Sequence, residues 1–104
     1  MGMSQNVNCP SGVPDWPRVS SWLAEHGLTV QMRMIDGQLA FPDEEPPANW
    51  KEIRVGSPLG MVTIRRQPAG VELTIWGNAD AGTQQAWNTI ALAFAELGGT
   101  SGKT

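Results

Sequence analysis

The sequence predicts an α+β domain: a mostly antiparallel sheet of about five strands, in the order α-ββ-βββ-α, with N- and C-terminal helices packed on one face. Three observations predict it. Apolar residues recur at helical spacing only near the two ends, in "DWPRVSSWLAEHGL" and "NADAGTQQAWNTIALAFAELGG". Between these segments the hydrophobic pattern alternates with period two, as in half-buried strands. The alternating runs are joined by short turn-forming links and never by a helix, so no crossover is available to build a parallel sheet.

Residues 1–14 are polar, rich in Asn, Ser, Gly and Pro and without periodicity, and are expected to be a disordered tail ahead of a single domain over 15–98. In the first helix Asp15 or Trp16 is the cap and Pro17 lies in the first turn. Val19, Trp22, Leu23 and His26 share a face. Gly27 ends the helix in a left-handed position that lets Leu28 fold back onto Leu23. In "LTVQMRMIDGQLAF", Leu28, Val30, Met32 and Met34 point one way and Thr29, Gln31 and Arg33 the other. Asp36-Gly37 is a two-residue hairpin turn, because both positions of a type I′ turn need positive φ. That register sets Met34 opposite Leu39 and Met32 opposite Phe41, with all four on the core face.

The acidic loop "PDEEPPAN" cannot pair into a sheet. Three strands follow, "WKEIRVG", "MVTIRR" and "VELTIW", joined by "SPLG" and "QPAG". Pairing Gly56 with Met61 sets Val55 opposite Val62 and Ile53 opposite Ile64. Continuing across the next turn sets Ile64 opposite Leu73 and Val62 opposite Ile75, so every apolar residue lands on one face, an agreement that a one-residue slip would destroy. The last helix carries Trp87, Ile90, Ala91, Phe94 and Leu97 as its core stripe and is capped by Asp80 or Thr83. Residues 99–104 are expected to form a flexible tail.

The ending "LGGTSGKT" resembles a phosphate-binding loop only superficially. The glycine required five residues before the "GK" is Leu97, and a helix rather than a buried strand precedes the loop. Composition excludes other classes. The single cysteine, Cys9, permits no internal disulfide and no thiolate-rich metal site. A net charge of −3 disfavours a partner held mainly through phosphate neutralisation. No apolar run is long enough to cross a bilayer, and the first residues lack the cationic and apolar regions of a signal peptide, so a cytoplasmic location is expected.

No pattern of catalytic groups stands out. Cys9 and His26 would need each other and a third, orienting group to make a nucleophile pair. Asp43, Glu44 and Glu45 are adjacent in a proline-flanked loop, where water solvates them and no concave site holds two carboxylates for acid–base work. Gly77–Thr83 connects a strand to a helix start with small residues, but Asp80 already offers a carboxylate to that helix end. The sheet face away from the helices is the sharper candidate. Parity puts Gln31, Arg33, Arg54, Met61, Thr63, Arg65, Thr74 and Trp76 on it, with Glu52, Arg65 and Glu72 side by side in one row.

The reading this supports is a small, non-catalytic protein-interaction or regulatory module without a cofactor or metal. Its candidate surface comprises Arg33, Arg54, Arg65, Thr74 and Trp76 of the open face, and Glu44 and Glu45 of the acidic loop. The expected partner is another protein, with no membrane and with nucleic acid disfavoured by the ion-paired row. Two alternatives stand beside it: a small-ligand-binding domain or enzyme with a pocket between helices and sheet, and a sheet that binds single-stranded RNA on Trp76 and its neighbouring arginines.

Overall fold

Each of the predicted strands forms, and a sixth joins them from the stretch expected to lie outside the domain. The computed structural model describes residues 2–77 and 80–98. In chain order the elements are β1 (Gly2–Asn8), α1 (Trp16–Glu25), β2 (Gln31–Ile35), β3 (Gln38–Leu39), β4 (Glu52–Ser57), β5 (Gly60–Gln67), β6 (Gly70–Trp76) and α2 (Ala81–Leu97). One six-stranded sheet runs β1-β6-β5-β4-β2-β3, with every neighbouring pair antiparallel.

The predicted registers of the central strands are present: Val55 faces Val62, Ile53 faces Ile64, and Ile64 faces Leu73. These side chains are buried beneath both helices, against Val19 and Leu23 of α1 and Ile90 and Phe94 of α2. Burying one such side chain is worth about 1.5–3 kcal/mol, so slipping a strand by one residue and turning Ile53, Ile64 and Leu73 outward would cost roughly 5–9 kcal/mol. That penalty fixes the register.

Three local expectations also hold. Asp36 and Gly37 both have positive φ, 50° and 84°, and close the β2–β3 turn. Gly27 sits at φ 86° and the Leu28 amide donates to the Leu23 carbonyl at 2.8 Å, the Schellman closure of α1. Asp80 caps α2 by accepting from the Thr83 amide at 2.8 Å.

Four others are corrected. Residues 2–8 are not a tail: β1 pairs along its whole length with β6, from Gly2 opposite Trp76 to Asn8 opposite Gly70. Its side chains alternate, Met3, Gln5 and Val7 being half-buried and Ser4, Asn6 and Asn8 exposed. The polar residues conceal this period, and the pairing rests on main-chain bonds that composition does not reveal. Met34 does not join the core. The register shifts at Arg33, so Met34 falls opposite Arg54 on the open face and Ile35 takes the inward place opposite Ile53. Phe41 does not pair with Met32, whose amide donates instead to the Pro42 carbonyl at 3.0 Å; Leu39 and Phe41 are exposed. His26 leaves the core face of α1, where it caps the helix end with its ring stacked on Trp22 at 3.7 Å.

The segment 99–104, with the glycine-rich ending, lies outside the described residues. No described helix is long and apolar enough to cross a membrane.

Candidate interaction surface

The face of the sheet opposite the helices carries no covering layer among the described residues, and the strand registers lay its side chains out in rows. One row crosses all six strands: Leu39, Met34, Arg54, Thr63, Thr74 and Ser4. The next row holds Glu52, Arg65, Glu72 and Asn6. On the other side, two residues along each strand from Thr63 and Thr74, stand Met61 and Trp76.

These rows differ in electrostatic character. Arg65 donates through Nε to Glu52 at 3.1 Å, and its Nη1 stands 3.9 Å from Glu72, so the arginine is neutralised, as its spacing predicts, and the row is left with one negative charge. Both contacts are solvent-exposed and are worth little to stability. Arg54 is different. Its Nε donates to the Thr63 hydroxyl at 3.2 Å, and no carboxylate pairs with it among the described residues. Arg33 is likewise without an ionic partner there. Its side chain lies across Gly56, with Nε 2.9 Å from where a Cβ would stand, so a residue larger than glycine at 56 would push it away.

Trp76 is the most prominent apolar group on the face, with 77% of its surface exposed, and Met61 beside it is 46% exposed. Together with Ser4, Thr63, Thr74, Arg54 and the ion-paired row, they line a shallow depression of about 500 Å³. The hydroxyls of Ser4 and Thr74 are 3.1 Å apart and leave capacity for a further hydrogen bond. The depression thus grades from apolar, through cationic and hydroxyl-bearing, to ion-paired with a net negative charge.

The sequence-derived residues are therefore only partly brought together. Arg54, Arg65, Thr74 and Trp76 line one depression, and Arg33 borders an adjoining one with Gln31, Gly56 and Ser57. Glu44 and Glu45 lie elsewhere, beside Trp16, Ser20 and Val30 at the start of α1, where Glu44 also accepts from the Phe41 amide at 3.1 Å. Sequence reasoning missed Met34 and Leu39 on the open face, because the bulge at Arg33 has no local signal in the residues.

Groups with shifted protonation lie away from this face. The Asp36 carboxylate is held below its ordinary range by bonds from the Glu52 and Lys51 amides, at 3.0 and 2.8 Å. Asp80 is lowered by the Thr83 amide and hydroxyl. Burial raises the Cys9 thiol, partly offset by the charge of Arg66. Cys9 packs against Phe94 and Gly98, whereas His26 is bonded to the Trp22 carbonyl at 2.7 Å, and no contact joins the two. Among the described residues no three His, Cys, Asp or Glu side chains cluster as metal ligands would. Comparison with protein-family models, with curated proteins and with solved structures gives no match for this chain.

Proposed function

We propose that this protein is a small, non-catalytic interaction module whose open sheet face receives an extended segment of another protein, one that presents an apolar side chain and a carboxylate two residues apart. The observation that carries the reading is the juxtaposition of a 77% exposed Trp76 with an arginine, Arg54, that lacks an acidic partner among the described residues. An exposed tryptophan is a large apolar area left in water, and aromatic and arginine side chains dominate binding energy at protein interfaces.

Spacing supplies the chemistry of the partner. Trp76 and Met61 stand two residues along their strands from the Arg54 row, about 7 Å at the usual rise of a strand. Across the sheet Met61 is one strand from Arg54 and Trp76 two, so Arg54 lies about 8 Å from Met61 and about 12 Å from Trp76. Residues i and i+2 of an extended segment, about 7 Å apart on one side, match the Met61–Arg54 spacing, with Trp76 bordering Met61. An apolar residue at i would cover Trp76 and Met61, and Asp or Glu at i+2 would pair with Arg54. Glu52 and Glu72 bound the cationic strip, so it suits a single carboxylate better than a run of phosphates.

Peptides carrying an aromatic residue and Glu at i and i+2 test this by fluorescence polarisation. Binding should weaken at least about tenfold on Trp76→Ala or Arg54→Glu, and also on moving the peptide carboxylate to i+1. Unchanged affinity in all three cases would refute the reading. Salt-sensitive binding of single-stranded RNA that depends on Arg54 and Trp76, without peptide binding, would replace it with nucleic-acid recognition.

A further inference from the structure

Among the described residues strand β1 is an edge of the sheet, and its hydrogen-bonding phase can be read. In an antiparallel pair, mutually bonded positions alternate with positions whose N–H and C=O point away. The Cys9 amide donates to the Ala69 carbonyl at 2.8 Å, which makes Val7–Val71, Gln5–Leu73 and Met3–Ile75 the bonded pairs. The backbone groups of Ser4, Asn6 and Asn8 are therefore aimed outward, and no strand lies beyond them among the described residues.

Sheet edges are ordinarily guarded by proline, lysine, bulges, inward charges or shortness. The β1 sequence GMSQNVN has no proline and no charge, and pairs without a break in register over seven residues. The opposite edge, β3, is only two residues long.

The helix beside this edge continues the same character. Gln5 donates through Nε2 to the Asn88 side-chain oxygen at 3.1 Å, which ties β1 to α2. Ala81, Gln85, Asn88 and Leu92 follow one another along α2 at i, i+4, i+7 and i+11, all exposed, and Leu92 is 50% exposed. They border a shallow depression that contains no charged residue. The acidic residues of this helix, Asp80 at the cap and Glu96 in the last turn, stand at its two ends.

We propose that β1 and this stripe of α2 form the interface between two copies of the chain, related by a two-fold axis. The β1 strands pair antiparallel, extending one sheet from six strands to twelve, and the α2 stripes meet above them. An axis through Asn6 sets Asn6 against its own counterpart and Ser4 against Asn8 of the partner subunit, so the outward amides of both strands are satisfied. The second copy is the occupant because the surface is self-complementary. With no charge on the strand or the stripe, a two-fold brings no like charges together, and depletion of charged residues marks the core of an interface.

Sedimentation equilibrium from low micromolar to several hundred micromolar protein tests this on the full chain. The wild type should show the mass of two chains, dissociating on dilution. Asn6→Pro removes an outward N–H while leaving the β1–β6 bonds intact, a position where edge strands tolerate proline. Leu92→Lys puts charge into the stripe. Each should weaken self-association at least about tenfold with an unchanged far-ultraviolet circular dichroism spectrum. If Asn6→Pro fails to fold, Leu92→Lys decides alone. A wild type of one chain's mass throughout overturns the proposal, as does a dimer that the folded variants retain. A dimer lost on Trp76→Ala but not on Leu92→Lys would also overturn it, because the copies would then meet through the open face.

Discussion

Replacing Trp50 by alanine should bring this domain close to unfolding, although Trp50 belongs to no helix or strand. The side chain is 2% exposed, and the guanidinium carbon of Arg66 lies 4.6 Å from its ring centroid. Arg66 is held there by donating to the Ala48 carbonyl at 3.1 Å, and its Nε is buried with no hydrogen-bond partner among the described residues. Two losses then combine. Emptying a buried tryptophan site costs about 3–5 kcal/mol. Removing the aromatic face beneath a partly desolvated arginine costs a further 0.5–1 kcal/mol or so. Small domains have total stabilities of about 5–15 kcal/mol, so the variant would keep only part of its stability. At about 4–8 °C per kcal/mol its Tm should fall by roughly 12 °C or more. Far-ultraviolet circular dichroism during urea and thermal unfolding is the suitable assay, since tryptophan emission would report the substitution itself. Trp76→Ala serves as the control and should stay within about 0.5 kcal/mol of wild type, as exposed substitutions usually do. Equal losses in the two variants, or a Trp50→Ala cost below about 1 kcal/mol, would refute the assignment of Trp50 to the core and Trp76 to the open face.

Deleting residues 1–8 should destabilise the domain by at least about 2 kcal/mol in the same assay, because the half-buried Met3 and Val7 and the partner strand of β6 go with them; an unchanged Tm would mean that β1 contributes nothing. Asp36→Asn should make stability less dependent on pH. The folded carboxylate titrates below its ordinary value of 3.8, so its contribution is complete above that value and is lost as pH falls through the lowered one; urea midpoints should therefore differ between variant and wild type at pH 7 and converge in acid. Cys9 is buried and its thiol raised, so a thiol reagent such as Ellman's should modify the native protein slowly, at a rate that follows unfolding as urea is added; immediate reaction would place Cys9 at the surface.

The central sheet was legible because Ile53, Val55, Val62, Ile64, Leu73 and Ile75 satisfy one parity across two turns at once, a constraint that a wrong register cannot meet. The same parity gave the Glu52–Arg65–Glu72 row and the outward Trp76. What escaped the sequence depends on the main chain or on distant contacts. The β1 residues are polar because half of them face water and the edge needs no apolar side chain to hold its bonds. The bulge at Arg33 is set by how β2 fits β4, and it moves Met34 and Ile35 to opposite faces from those that strict alternation requires. Trp50 heads the run read as a strand, where strict alternation would turn it to the open face with Glu52 and Arg54; the strand begins at Glu52 instead, and Trp50 is buried beneath Arg66. Gly60 looked like an ordinary turn residue; a Cβ there would run into the Thr83 side chain, whose hydroxyl stands 2.7 Å from the Leu59 carbonyl and 2.9 Å from the Asp80 carboxylate, shares its one proton between them, and ties the β4–β5 turn to α2.

The central claim is that the open sheet face receives an acidic, apolar peptide segment, and a chemical-shift map of the labelled protein tests it most directly. On adding the peptide with an aromatic residue and Glu at i and i+2, the Trp76 indole and the amides of Arg54, Met61, Thr63 and Thr74 should move together and saturate, while those of Val19, Leu23, Ile90 and Phe94 in the helical layer stay in place. Shifts confined to the helices or to residues 41–45, or a Trp76 indole signal that remains fixed while the peptide binds, would contradict it.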